Sequence, residues 1–170
     1  MQTRHTLVDT VLGPLTVAAS GEAVVGIYFP DHWYQPAEGS LGPRVDARDD
    51  VLFDAVRSQL TEYLAGERTA FDLPTATAGN PLQERVWAVL RGIPYGGTTT
   101  YGEIAAELGD RALAQAVGQA NGHNPISIVV PCHRVVGRNG QLTGYAGGLW
   151  RKQFLLELEE PEAVKAARLF

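Results

Sequence analysis

Residues 73–80 read Leu-Pro-Thr-Ala-Thr-Ala-Gly-Asn, with no charge and no hydrophobic period. They lead straight into a helix start, with Asn80 as cap, Pro81 at the first helical position and Gln83 where a capping-box partner belongs. This break divides the chain into a half that alternates like strands and a half that repeats like helices. It predicts an α+β protein: a small N-terminal α/β domain with a short antiparallel sheet over 1–75, a linker at 76–80, a mainly helical C-terminal domain containing a helix-turn-helix over 81–160, and a tail at 161–170.

In the first half, residues 5–8, 15–19 and 23–29 read as strands, separated by a Gly13-Pro14 turn and a Ser20-Gly21-Glu22 hairpin turn. Residues 30–48, punctuated by Pro30, Pro36, Gly39, Gly42 and Pro43, read as a loop. Asp50 can cap a helix over 51–65, in which Val51, Leu52, Ala55, Val56, Leu60, Tyr63 and Leu64 recur at helical spacing and Gly66 follows as the C-terminal glycine. The four histidines, His5, His32, His123 and His133, are scattered, so no metal site is expected.

The second half opens with a helix to about residue 91 that buries Leu82, Val86, Trp87 and Leu90. Thr100 and Glu103 form a capping box for a short helix through Leu108, and Asp110 caps a second helix from Arg111 to Asn121. Two short helices about a glycine-containing turn make a helix-turn-helix pattern. The second helix is built of small residues: Ala112, Ala114, Ala116, Gly118 and Ala120 alternate with Leu113, Gln115, Val117 and Gln119. A helix that reads base edges in a major groove carries long polar side chains. This one suits close backbone approach, either to a narrow minor groove or to another helix. Asn124-Pro125 then opens a strand-like apolar run, 126–130, that ends in Pro131-Cys132-His133-Arg134.

The net charge of −5 is unevenly spread. Residues 1–80 hold five arginines against eleven acids, whereas residues 111–156 hold no acid and carry Arg111, Arg134, Arg138, Arg151 and Lys152. Such a stretch can face phosphates while the rest keeps the molecule acidic. No apolar run approaches the ~20 residues of a membrane helix, and the first residues lack the apolar core of a signal peptide, so a cytoplasmic monomer is expected. Cys132 is the only cysteine, which excludes an intramolecular disulfide and a thiolate-rich zinc site. A lone cysteine is either a small buried hydrophobe or a nucleophile, depending on what stabilises its thiolate. His133 is adjacent, but neighbours in an extended segment point apart, so adjacency does not establish contact.

Pro131-Cys132-His133-Arg134-Val135-Val136-Gly137, with Asn124-Pro125 before it and Tyr145-Ala146-Gly147-Gly148 after it, resembles the active-site signature of the O6-alkylguanine-DNA alkyltransferases. The similarity runs over about residues 80–159, and the first part resembles the smaller domain of bacterial members. The resemblance implies DNA repair: irreversible, one-turnover transfer of an alkyl group from O6-alkylguanine in double-stranded DNA, with O4-alkylthymine as a further substrate, and no metal or cofactor. It implies that Cys132 is the acceptor, that His133 takes the thiol proton through a bound water, and that Glu159 orients His133. It makes Asn124 a brace of the active-site turn and Tyr101 the donor to the departing guanine. Tyr145 becomes a pocket wall, Ala146 a backbone N–H for O6, the Cys132 and Val135 carbonyls acceptors for the guanine amino group, and Lys152 a lysine near the pocket. The helix with Ala114, Ala116 and Gly118 becomes the DNA-binding element.

One position departs from the family. The arginine that enters the base stack in place of the flipped nucleotide is Gln115 here, which lacks a fixed charge and a planar fork. Arg111, one turn earlier, can compensate in part by contacting phosphate. The competing readings are a non-catalytic reader of alkylated DNA, a helix-turn-helix regulator and a thiol hydrolase. A reader would lack the acceptor cysteine, a regulator would carry a further DNA-binding region, and a hydrolase would need an oxyanion hole.

Overall fold

The computed structural model describes residues 2–169, with side chains through residue 167. The alternating first half forms three antiparallel strands in the order β1-β2-β3, with β1 at Thr3–Thr10, β2 at Gly13–Ser20 and β3 at Ala23–Tyr28. Val8 opposite Leu15 and Val17 opposite Ile27 put the apolar positions on one buried face. The first turn differs from the expected Gly13-Pro14. It is made by Val11 and Leu12, and Gly13 and Pro14 already belong to β2. Thr10 decides this, because its hydroxyl accepts from the Leu12 N–H at 3.0 Å and donates to the Gly13 carbonyl at 2.7 Å, closing the turn early.

Helix α1, Val51–Leu64, begins as expected at Asp50, whose carboxylate accepts the Phe53 N–H at 3.1 Å and also pairs with Arg4 of β1. It lays Phe53, Val56, Leu60 and Tyr63 against the sheet. The uncharged segment after it does not hang free. Pro74 and Ala76 exchange backbone hydrogen bonds with Val24 at 2.8 and 3.0 Å, so residues 74–76, which lead into the segment read as a linker, run along β3.

Helix α2, Pro81–Arg91, carries the full capping box of Asn80 and Gln83. Strand β4, Thr99–Thr100, leads into α3, Tyr101–Glu107. The capping box expected there is half made: the Thr100 hydroxyl accepts from the Glu103 N–H, while the Glu103 carboxylate takes the Thr99 hydroxyl instead. Gly109, at φ +103, turns the chain. Asp110 then caps a single 3-10 turn, Arg111–Leu113, and α4 proper begins one turn later, at Ala114–Gly122.

The apolar run 126–130 is buried but is not a strand. It is folded into tight turns in which Ile128 adopts φ +72, costly for a β-branched residue. Asn124 imposes this shape, since its Oδ1 accepts from the Ile126 N–H at 3.0 Å and its Nδ2 donates to the Val130 carbonyl at 2.8 Å. The run also docks on β3, with the Ile27 N–H donating to the Pro125 carbonyl at 2.8 Å. Strand β5, Val135–Val136, pairs in parallel with β4 and so brings the start of α3 beside the Cys132 segment. Helix α5, Leu149–Glu159, closes that side. The expected tail at 161–170 carries a helix, α6, Glu162–Leu169, and its last residue, Phe170, lies outside the described residues. A single apolar core joins the sheet, α1, α2, the 126–130 run and α5.

Candidate active site

Cys132, His133 and Arg134 share one turn of 3-10 helix between Pro131 and β5, and all three are buried. Helix α5 supplies the facing wall. Lys152, Leu155 and Glu159 recur at spacings of three and four, so one face of the helix points at that turn.

The charged groups there form a closed cluster. His133 Nε2 lies 2.7 Å from Glu159 Oε2. Arg134 grips the same carboxylate through Nε at 2.8 Å and Nη2 at 3.1 Å, and its remaining donors reach the Ile93 carbonyl at 2.7 Å and the Tyr63 hydroxyl at 3.4 Å. Burial pushes the Glu159 carboxyl up to about 8 and the Arg134 guanidinium down to about 10. Those two directions pull against the two-pronged contact, which needs the carboxylate and the cation together. The short paired geometry is that of a charge-assisted fork, so we assign both groups as ionised. An ionised Glu159 accepts the His133 Nε2–H and leaves the lone pair on Nδ1. Burial, and then the Arg134 and Lys152 charges, hold the imidazole well below its ordinary value, so it rests neutral. Nδ1 has no hydrogen-bond partner among the described residues.

Burial raises the Cys132 thiol, and the nearby Asn124 amide and the charge of Lys152 act against that rise. Tyr145 adds a weaker pull by proximity. Its own hydroxyl is buried and has no partner in hydrogen-bonding geometry among the described residues. Lys152 is fully buried, and burial lowers its pKa to about 8 although Cys132 supports its charge. Its Nζ donates to the Thr143 hydroxyl at 3.4 Å, and Thr143 lies 2.7 Å from the Tyr101 hydroxyl. Ala146 and Val135 are also buried beside this cluster. Cys132, His133, Asn124, Glu159, Tyr145 and Lys152 therefore converge, with Tyr101 joined through Thr143.

Gln115 and Arg111 stand apart on the exposed surface of the second helix, flanked by half-buried Ala114 and Ala116. The small residues of α4 serve two purposes. Gly118 faces inward under the Tyr101 ring, where a Cβ would lie 3.7 Å from the ring, and Ala120 presents its carbonyl to the Trp87 indole N–H at 2.8 Å. Ala112 and Gln115 face out.

The acid-free stretch 111–156 is not the surface patch that its charges suggested. Arg134, Arg151 and Lys152 are buried, and only Arg111 and Arg138 of its five cations are exposed. Charge counting along a chain does not see burial. Arg134, Thr143 and Asn121, which donates to the Cys132 carbonyl at 3.4 Å, were missed in the sequence. For Arg134 the available signal was its place two residues after the cysteine, directly beside His133.

Two family profiles match the chain. Residues 81–161 match the DNA-binding domain of 6-O-methylguanine DNA methyltransferase, and residues 3–77 match its ribonuclease-like domain. The chain belongs to the 6-O-methylguanine DNA methyltransferase family. The methylated-DNA–protein-cysteine methyltransferase of Mycobacterium tuberculosis strain H37Rv is 45% identical over 163 residues, which is 96% of each chain. That of Methanosarcina acetivorans is 41% identical over 164 residues, covering 91% of this chain and 97% of the relative. The fold matches M. tuberculosis OGT crystallised in complex with DNA, with a TM-score of 0.84, 44% identity and 92% of each chain covered. In this chain, the DNA-binding profile contains the whole Cys132 cluster, and the ribonuclease-like profile contains the three-stranded sheet and α1. Among its described residues no helix is long and apolar enough to cross a membrane.

Proposed function

We propose that this chain repairs DNA by moving a methyl or other alkyl group from O6 of guanine to the Cys132 sulfur. The observation that carries this is the burial of its single cysteine on one turn with His133, against the Glu159–Arg134 fork, inside a family-matched domain. The thiol proton goes to His133 Nδ1 through a bridging water, and Glu159 holds the Nε2–H so that Nδ1 remains the acceptor. The thiolate attacks the alkyl carbon in line. A sulfur–carbon bond forms, the carbon–O6 bond breaks, and guanine leaves with a proton supplied by Tyr101. Tyr145 walls the pocket, the Ala146 N–H meets O6, and the Cys132 and Val135 carbonyls hold the amino group. Lys152 supports the thiolate. Asn124 braces the turn. The thioether has no route back, so each molecule acts once.

The target base must leave the duplex, which costs a few kcal/mol of unstacking. Ala114 and Ala116 let α4 approach a minor groove, while Gly118 seats the helix against Tyr101, Gln115 fills the vacated stack and Arg111 meets a phosphate. The protein acts as a monomer in the cytoplasm. The reader alternative is disfavoured by the presence of Cys132 itself. Repair is tested on the DNA: a duplex with one O6-methylguanine should return to unmodified guanine in a ratio of one lesion per protein molecule. Bound but unrepaired DNA would favour the reader.

Two further outcomes follow from these roles. Gln115→Arg should tighten duplex binding by about 1 kcal/mol or more through a fixed charge and fork. Unchanged affinity and repair rate in a gel-shift and single-turnover assay would leave Gln115 out of the stack. The transfer rate should also climb with pH while the raised Cys132 thiol gives up its proton, then stop climbing near pH 8, where Lys152 loses the charge that supports the thiolate. A rate that falls with pH below that point contradicts the assignment.

A further inference from the structure

The loop after β3 makes contacts that the chemistry above does not use. Trp33 and Tyr34 are 57% and 48% exposed, yet both reach the second half of the molecule. The Trp33 backbone N–H donates to the Ala146 carbonyl at 3.2 Å. Its indole sits between two glycines: a Cβ on Gly144 would come within 2.6 Å of Cη2, and one on Gly122 would come within 3.9 Å of Cε3 and Cζ3. Tyr34 stacks on His123, with ring centroids 3.6 Å apart and planes at 16°. One dipeptide thus touches the loop that carries Tyr145 and Ala146 and also the end of α4. Behind it, Phe29 packs edge-on to Tyr145 at 5.7 Å, and Arg151 ties the Leu12 carbonyl to the Gly147 carbonyl at 2.8 Å each.

We propose that Trp33 and Tyr34 form a positioning clamp that holds the 143–148 loop against the end of α4 and thereby limits the size of the alkyl group that reaches Cys132. This rests on the transfer reading above. The loop has no regular secondary structure, so its place depends on its anchors. One end is held by Thr143 between Tyr101 and Lys152, the other by Arg151, and the middle by Trp33. Gly144 lacks a side chain where the indole lies, so the two surfaces meet directly. Removing the indole uncovers Gly144 and Gly122 and leaves only the backbone N–H of residue 33 on the Ala146 carbonyl, so the wall beside Cys132 is free to move outward. A methyl group, which needs close alignment with the sulfur, then reacts more slowly, while a benzyl group gains room.

The test uses the full chain with Trp33→Ala, Trp33→Phe and Gly144→Ala. Each is given duplexes bearing O6-methylguanine or O6-benzylguanine, and single-turnover rates are read from the protein mass. Trp33→Ala should slow methyl transfer about tenfold and raise the benzyl-to-methyl rate ratio by about tenfold, since small misplacements of reacting groups have effects of this order. Gly144→Ala, which displaces the ring, should shift the ratio the same way, and Trp33→Phe should restore it to within about threefold. Equal slowing on both duplexes, as a merely structural role would give, or no change on either, overturns the clamp. A parent chain that gains mass on neither duplex overturns the transfer reading, and the clamp with it.

Discussion

Glu159→Gln is expected to lower the unfolding free energy by about 3–5 kcal/mol and to slow alkyl transfer by about a hundredfold or more. Among the described residues Glu159 is the only carboxylate found on Arg134 and His133, and all three side chains are buried. Glutamine keeps one acceptor oxygen but turns the other into a donor that faces a cation. Arg134 is then a buried guanidinium without a counter-charge, which is why the loss exceeds that of a surface pair. His133 then has at most a neutral amide oxygen to hold its Nε2–H, so Nδ1 is less firmly reserved for the thiol proton. Urea unfolding and single-turnover repair measure the two losses. A double variant, Glu159→Leu with Arg134→Met, separates them: removing both charges should recover most of the stability and none of the rate. An unfolding midpoint unchanged by Glu159→Gln would mean that the fork does not hold the site together.

Asn124→Ala should cost roughly 2–5 kcal/mol, because it leaves two buried backbone groups, the Ile126 N–H and the Val130 carbonyl, without the partners they now have. The turn between them holds Ile128 at φ +72, a conformation that persists only while its surroundings enforce it. The variant should also lift the Cys132 thiol further, since Asn124 is the leading group acting against its burial. Asn124→Asp distinguishes bracing from charge. It keeps an acceptor for Ile126, loses the donor to Val130 and sets a negative charge near the sulfur. It should therefore react more slowly than Asn124→Ala at equal pH, with both rates recovering at higher pH. Equal rates in the two variants would limit Asn124 to bracing.

The legible parts of the fold were those fixed by local chemistry. Asp50 and Asn80 cap the helices that their side chains predicted, and the three strands follow the alternation of residues 3–28. The site was legible through the resemblance, which named Cys132, His133, Asn124 and Glu159 before any contact among them was visible. Three things were not legible. An apolar run such as 126–130 has no period that separates a strand from a folded turn, and the decision lay in the side chain of Asn124. Arg134, Arg151 and Lys152 counted as surface charge because composition carries no depth. Trp33 lay in a loop dense with proline and glycine, where only the fold reveals that it rests on Gly144.

The most direct measurement is the intact mass of the protein after incubation with a duplex containing one O6-methylguanine. The parent chain should gain the mass of one methyl group, the gain should map to the peptide containing Cys132, and Cys132→Ala should gain nothing. A chain that stays unmodified while the lesion is bound or removed, or a methyl group found on any other residue, would contradict the assignment of Cys132 as the acceptor.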